Sequence, residues 1–410
     1  MLLYYLIWKA NIILKIAYIN TYPYGSTGAV MKQCAELADK NENDTRIYIS
    51  TESKKKGIYD DCRYWGYSID NLMHYYLCLF TGYNGCFSTI GTKKMIKELE
   101  SYNPDILHLH NLHNCYINLP MLFLYIKKNN IKVVWTLHDC WAYTGQCTHY
   151  TKIGCNKWKQ GCYSCPQYMN YPKSYIDRTR TMYQLKKKWF TGIKDMTIVT
   201  PSKWLASEVK QSYLKEYPIQ VINNGIDLTI FKPSISLSYE KIKKTGKYIV
   251  LGAAYSWDNS KGLDVFIYLS RKLSSNYQII LVGTDDKVET ILPKNIISIK
   301  RTSDKKGMAV LYSIADVFVN PTREDNYPTV NMEALACGTP VITFQTGGSA
   351  EIIDRTCGIS VPVDDIDSLH QGIIDICEKK LFTRQVCVSK AKLFDKDISS
   401  KKYLELYERI

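Results

Sequence analysis

Residues 321–351, PTREDNYPTVNMEALACGTPVITFQTGGSAE, limit the fold of this chain more than any other stretch. The apolar residues 316–320 ahead of them read as a buried strand of a parallel sheet. An acidic loop, 323–327, comes next. Pro328 has the fixed φ of a first helical position, and Gly338 and Pro340 stop a helix predicted over 329–336. A second strand, 340–344, runs into Gly347 and Gly348. This is the layout in which a doubly wound sheet offers loops and helix N-termini to an anionic ligand at the carboxyl ends of its strands.

The same alternation recurs along the chain. Strands are predicted over 12–20, 45–50, 106–110, 132–137 and 196–200, and again over 247–253, 278–282, 296–299 and 357–361. Helices are predicted over 29–39, 64–80, 91–102 and 365–379. A chain of 410 residues is too long for one core. The fold class is therefore α/β, with two Rossmann-like doubly wound domains. The polar, lysine-rich residues 234–245 mark the boundary. The first domain is placed at 1–235, with a cysteine-rich insertion at about 140–166, and the second at 246–395.

A formal net charge of +14 admits nucleic acid, anionic membrane or polyanionic ligands as partners. No nucleic-acid motif is present, so peripheral membrane contact leads. Residues 178–190 interleave basic and apolar side chains at helical spacing. They suit either an acidic membrane surface or an amphipathic helix packed on its own domain. No run of 18 apolar residues occurs, so no membrane-spanning helix is expected. Met1 to Trp8 lacks the features of a signal peptide. It reads as an extension upstream of the true start, with a membrane-touching tail or an extra element as alternatives. The lysines at 54–56 read as a solvated loop. The expected location is the cytoplasm, at the inner membrane face.

Most of the 14 cysteines are scattered and read as small buried hydrophobes. Cys147, Cys155, Cys162 and Cys165 are not scattered. Their C-x7-C-x6-C-x2-C spacing suits a structural tetrahedral Zn²⁺, with a reduced, metal-free cluster as the alternative.

Several segments together resemble the family 4 glycosyltransferases, in the colanic-acid and capsule branch. They are YPYGSTG at 22–28, the histidines 108, 110 and 113, WTLHDCW at 135–141, SKG at 260–262 and EDNYPTVNMEALACGTPVI at 324–342. The resemblance implies the GT-B arrangement, with the two domains facing a cleft and a last helix, within 396–410, crossing back to the first. It implies a bacterial, retaining, nucleotide-sugar-dependent transferase for capsule or exopolysaccharide, with no cofactor for catalysis. The acceptor would be a saccharide or a lipid-linked saccharide. By the same resemblance, Glu333 binds the donor ribose and Asp325 the transferred sugar. Glu324, beside Asp325, is the alternative holder of that role, since the family's usual first carboxylate is Glu. Asn326, Tyr327, Pro328 and Thr329 line the donor site, and Gly25 and Gly28 meet its diphosphate. Lys261 matches the family's diphosphate lysine. The matching arginine position is Ser256, and Arg323 or the pair Lys300–Arg301 would have to substitute. His138 would lie near the anomeric carbon, and Asp139 would orient it or meet the acceptor. The three histidines at 108–113 would line the cleft without a metal. A zinc-stabilised non-catalytic scaffold and a sugar-nucleotide epimerase are the alternative functions.

Overall fold

The computed structural model describes residues 13–51, 59–236 and 246–410. The apolar start, the lysine loop at 54–57 and most of the proposed linker lie outside the described residues. The first sheet contains β1 (Lys15–Asn20), β2 (Asp44–Ser50), β3 (Cys62–Trp65), β4 (Ile106–Leu109), β5 (Lys132–Thr136), β6 (Met196–Thr200) and β7 (Ile219–Val221). Its order is β3-β2-β1-β4-β5-β6-β7, parallel throughout. The second contains β8 (Tyr248–Ala253), β9 (Tyr277–Val282), β10 (Ile296–Ile299), β11 (Val317–Asn320), β12 (Val341–Phe344) and β13 (Gly358–Val361). Its order is β10-β9-β8-β11-β12-β13, also parallel.

The helices of the first half are α1 (Gly25–Lys40), α2 (Ser68–Thr81), α3 (Thr89–Tyr102), α4 (Leu119–Asn129), α5 (Thr179–Phe190) and α6 (Lys203–Lys210). Those of the second are α7 (Leu263–Lys272), α8 (Asp286–Ile291), α9 (Lys305–Ile314), α10 (Thr329–Ala336), α11 (Ile366–Lys379), α12 (Arg384–Ala391) and α13 (Lys396–Tyr407). Strand order reverses between β1 and β4, and again between β8 and β11. The loops after these four strands therefore open at the switch points of their sheets, where such folds bind ligands.

Local chemistry moved several boundaries away from the sequence expectation. The helix expected from residue 64 is preceded by β3, because Gly66 turns the chain at a φ of +86° before α2 begins. Helix α1 starts at Gly25, four residues early, so the glycine segment forms its first turn. Pro328 is extended, with ψ of 115°, and precedes α10 instead of entering it. Helix α13 starts at Lys396, where the Asp395 carboxylate accepts from the Asp397 N–H.

Helix α13 completes the core of the first sheet. Tyr403, Leu406 and Tyr407 pack with Met31 and Cys34 of α1 over Ile16 and Tyr18 of β1. Beneath them His108 is fully buried. Its Nδ1 meets Tyr407 Oη at 2.7 Å and its Nε2 meets Thr136 Oγ1 at 2.8 Å. His108 is thus a core residue, contrary to the expected cleft lining. The chain returns beside its own outward crossing. Ile226 bridges to Asp395, Lys396 Nζ lies 2.6 Å from Asp227 Oδ2, and Ser399 Oγ donates to Asn223 O at 2.7 Å.

Helix α5 is packed, not free for a membrane. Met182, Tyr183, Lys186 and Phe190 are buried. Phe190 sits 4.6 Å from Phe123 and 4.9 Å from Trp135, centroid to centroid. Lys186 turns inward, its ammonium donating to the carbonyls of Trp141 and Thr144, and burial lowers its pKa to about 7. It braces the chain just after His138 and Asp139.

Removing the Tyr407 hydroxyl leaves a buried imidazole nitrogen without its partner. Tyr407→Phe is expected to lower stability by about 1–3 kcal/mol in chemical denaturation. An unchanged denaturation midpoint contradicts this account of the crossing helix.

Candidate active site

The carboxyl ends of the two sheets face each other across a cleft. Asn326 spans it: its Nδ2 donates to the carbonyl of His138 at 3.0 Å, and its Oδ1 accepts from Ser202 Oγ at 2.7 Å. Ser202 also caps α6, accepting from the Leu205 N–H. The N–H groups of Lys203 and Trp204 donate to the Glu351 carboxylate at 2.9 and 2.7 Å, so a carboxylate joins the Ser202 hydroxyl in seating the α6 N-terminus. Gly347 and Gly348 make this approach close. A Cβ on Gly347 would lie 1.7 Å from the Asp325 carbonyl oxygen, and one on Gly348 would lie 2.6 Å from Ser202 Cβ.

The second domain contributes one cation and two carboxylates to the cleft. Lys261 Nζ lies 2.9 Å from Asp325 Oδ2 and also donates to the carbonyl of Glu324 at 3.2 Å. Glu324 points elsewhere, its carboxylate accepting from the Lys152 N–H at 3.2 Å. Glu333 lies on α10, half-buried. Tyr312 Oη donates to one of its oxygens at 3.1 Å, Thr329 donates as well, and burial raises its pKa. Tyr327, ahead of α10, is buried.

Arg323 does not supply the second cation. Its guanidinium makes a two-pronged pair with Asp264 at 2.9 and 2.8 Å and a further bond to Asp364 at 2.7 Å. Lys300 is paired with Asp286. Arg301 lies over the Tyr255 ring at 4.7 Å, on the loop that follows β8.

The first domain presents His138, Asp139 and the start of α1. His138 Nε2 meets His110 Nδ1 at 3.0 Å, with the rings stacked. Burial lowers the His138 pKa to about 4 and pushes His110 well below its usual value. Both imidazoles are therefore neutral, and only one can donate in this contact. His110 Nε2 is buried without a partner among the described residues. A bare acceptor there is cheaper than an orphan N–H, so His110 Nδ1–H donates and His138 keeps its proton on Nδ1. Asp139 does not orient His138. It meets His113 Nε2 at 2.9 Å and accepts from the Trp141 N–H at 2.8 Å. Burial works to raise the Asp139 pKa, but His113 and the Trp141 N–H bring it below the usual value.

Gly25 opens α1 at a φ of +74°, and a Cβ on Gly28 would collide with the Pro23 carbonyl. Neither α1 nor α10 has a side-chain cap on its first N–H groups. Two uncapped helix N-termini are thus available to an anion. Lys32, the basic residue nearest the glycines, is held by Asp61 at 2.8 Å. A cavity of about 850 Å³ lies between the cysteine loop (Thr148, Lys152, Tyr171) and the second domain (Trp257, Ser260, Glu324), and of the carboxylates of the acidic loop Glu324 lines it. Ser202, Glu351, Tyr312 and Lys186 were not singled out as site residues from sequence. Each acts through a partner far away in the chain, so local pattern carries no sign of it.

Of the four clustered cysteines, Cys147 and Cys165 are paired, their sulfurs 3.7 Å apart.

Neutral imidazoles give a pH signature. An unfolded histidine protonates near 6.5, the folded His138 only near 4. Its contribution to stability is complete above about 6.5 and is lost as pH falls towards 4. NMR titration is expected to place His138 near 4; a midpoint above 6 contradicts the assignment.

Two family models match the chain in succession. The one described as Glycosyltransferase Family 4 covers residues 74–230, and the one described as Glycosyl transferases group 1 covers residues 246–379. The chain is 27% identical over 303 residues to the putative colanic acid biosynthesis glycosyl transferase WcaC of Escherichia coli K12, covering 72% of this chain and 71% of that one. It is 24% identical over 212 residues to a Campylobacter jejuni protein, N,N'-diacetylbacillosaminyl-diphospho-undecaprenol alpha-1,3-N-acetylgalactosaminyltransferase, covering 48% of this chain and 56% of that one. Among solved structures it is similar in fold to sucrose-phosphate synthase of Thermosynechococcus elongatus (TM-score 0.71, 17% identity, 97% and 98% of the two chains). It is also similar to Anabaena Alr3699/HepE, solved in complex with UDP (TM-score 0.68, 14% identity, 97% and 100%). With two parallel sheets facing one cleft and both domain models in order, the chain belongs to the family 4, group 1 glycosyltransferases of GT-B fold.

Proposed function

We propose that the chain moves a sugar from a nucleotide-sugar donor, with retention, to a saccharide or lipid-linked saccharide during synthesis of a cell-surface polysaccharide. One observation carries this reading: Lys261, Asp325 and Glu333 stand on one wall of a cleft whose other wall holds His138 and the uncapped start of α1. Glu333, held by Tyr312, accepts the two ribose hydroxyls. Lys261 and the N–H groups opening α1 and α10 receive the diphosphate, and Asp325 takes hydroxyls of the sugar. Asn326, Tyr327, Pro328 and Thr329 set the shape of that wall. Arg301, over the Tyr255 ring beside the loop that follows β8, is the proposed second cation of the clamp.

During transfer the bond from the anomeric carbon to the phosphate oxygen breaks. The acceptor oxygen bonds to that carbon from the same face, and its proton passes to the departing phosphate oxygen. Lys261 and the helix N–H groups stabilise the leaving diphosphate, so no metal is called for in this step. The neutral His138 offers an N–H donor to the sugar, not a base. Asp139, fixed by His113, lies on the acceptor side. Closing the cleft removes water that would hydrolyse the donor. Complexes of HepE with UDP and with UDP-glucose support testing UDP-sugars first.

The acceptor reading draws on α2. Ile69, Leu72, Met73, Tyr76 and Phe80 form one helical stripe, and all are exposed, from 50% at Tyr76 to 70% at Ile69. Tyr175 and Ile176 extend it, and exposed Lys93, Lys94, Lys173 and Arg178 surround it. An apolar stripe with a basic rim matches an anionic lipid surface. No helix of the described residues is long and apolar enough to cross a membrane. Vesicles of phosphatidylglycerol are expected to carry the wild type in flotation, and Leu72→Glu with Tyr76→Glu to abolish this. Equal flotation of both forms removes the support for a membrane-borne acceptor.

A thermal-shift panel of UDP-, GDP- and ADP-sugars tests the donor site. One class is expected to stabilise the wild type, by about 2.7 kcal/mol at a hundred times its Kd. Folded Glu333→Ala is expected to lose the shift. Because burial raises the Glu333 pKa, donor affinity is expected to fall as decreasing pH neutralises the carboxylate. A Glu333→Ala variant with wild-type donor binding and transfer rate overturns the assignment.

A further inference from the structure

Cys147, Cys155, Cys162 and Cys165 all line one cavity of about 20 Å³, room for a single small particle. The cavity lies in the long loop between β5 and α5, walled also by Tyr150 and Trp158. The sulfurs of Cys147 and Cys165 are 3.7 Å apart, too far for a covalent bond. Two thiolates bound tetrahedrally to one zinc at about 2.3 Å stand about 3.8 Å apart, the same separation. Cys155 and Cys162 stand wider, neither sulfur lying within 4.8 Å of both others. Rotation about one side-chain bond moves each sulfur relative to the cavity both already line.

N–H donors already face the sulfurs. The Gly145 N–H donates to Cys162 Sγ at 3.0 Å, the Gln167 side-chain amide to Cys147 Sγ at 3.7 Å, and the Gln167 backbone N–H to Cys165. Such bonds favour thiolates and orient metal ligands. A second cluster, His74, Cys78 and Cys115, brings its ligand atoms within 4.8 Å of one another. There both imidazole nitrogens are taken. Nδ1 meets Ser88 Oγ at 2.7 Å, and Nε2 accepts from the Gly85 N–H at 3.2 Å. That cluster has no free nitrogen for a metal.

We propose that the four cysteines at 147, 155, 162 and 165 bind one structural Zn²⁺ that clamps the loop against the second domain. On binding, the four thiols give up their protons to solvent and form four Zn–S bonds, with no change of oxidation state. All four positions are filled by protein, so the site is closed and takes no part in sugar transfer. Its effect is mechanical. Between the first two cysteines, Thr151 Oγ1 donates to the Arg323 carbonyl at 3.2 Å, and the Lys152 N–H donates to Glu324 at 3.2 Å. The zinc would therefore fix the loop that presses on the acidic segment 323–325. This inference stands independently of the transfer reaction.

Elemental analysis of the full chain, purified reduced from zinc-supplemented cells, tests it. One zinc per chain is expected, lost in Cys155→Ser and in Cys162→Ser and kept in the control Cys86→Ser. Wild type exchanged with Co²⁺ gives a second readout that needs no ligand variant to fold, and the intense visible bands of tetrahedral thiolate cobalt are expected. Wild type without zinc, full zinc in Cys155→Ser, octahedral cobalt bands or a Cys147–Cys165 disulfide in the intact mass would each overturn the proposal.

Discussion

The cleft depends on one amide. Asn326 donates to the main chain at His138 and accepts from Ser202, so a single side chain of the second domain holds two loops of the first. It sits between Asp325, which meets Lys261, and Pro328, which leads into the helix bearing Glu333. The position of the first wall is thereby tied to the position of the second. Glu351 on the α6 N-terminus and Gly348 against Ser202 reinforce the contact. A longer residue at Gly348 would push the domains apart at the point where Asn326 must reach across.

Charge is distributed to leave Lys261 open to a ligand. Arg323 is closed by two aspartates and Lys300 by another, whereas Lys261 has a single carboxylate partner and is about one-third exposed. A donor diphosphate can join Lys261 without first breaking a two-pronged pair. Across the cleft His110 and His138 are kept neutral by burial, so these two rings offer N–H groups in place of charge. In the proposed reaction the leaving diphosphate would meet Lys261 on one side and the α1 N–H groups on the other, with the sugar near Asp325.

Much of this was legible in the sequence because the relevant signals are local. Alternating apolar runs and helical patterns gave most of the parallel strands, and 329–336 matched α10 at both ends. Asp325 and Glu333 stood out through the resemblance carried by one loop and helix, and Lys261 through the matching SKG segment at 260–262. What escaped was long-range. Nothing near His110 shows that it will stack on His138, and nothing near Lys186 shows that it will turn inward to hold Trp141. His108 looked like its neighbour His110, yet the return of α13 buried it beneath Tyr407. Arg323 looked available until Asp264 and Asp364, distant in sequence, closed on it. Strand β3 is only four residues long and was hidden by the apolar helix behind it.

The central claim is that the nucleotide half of the donor belongs to the second domain and the sugar half is shared with His138. Calorimetric titration separates the two halves. For the base that binds, both the nucleoside diphosphate and the nucleotide-sugar are titrated into wild type, Glu333→Ala and His138→Ala. Glu333→Ala is expected to weaken both ligands at least about ten-fold, as the loss of a hydrogen-bonded carboxylate requires. His138→Ala is expected to weaken only the nucleotide-sugar. Equal weakening of both ligands by His138→Ala, or none by Glu333→Ala, would contradict the account.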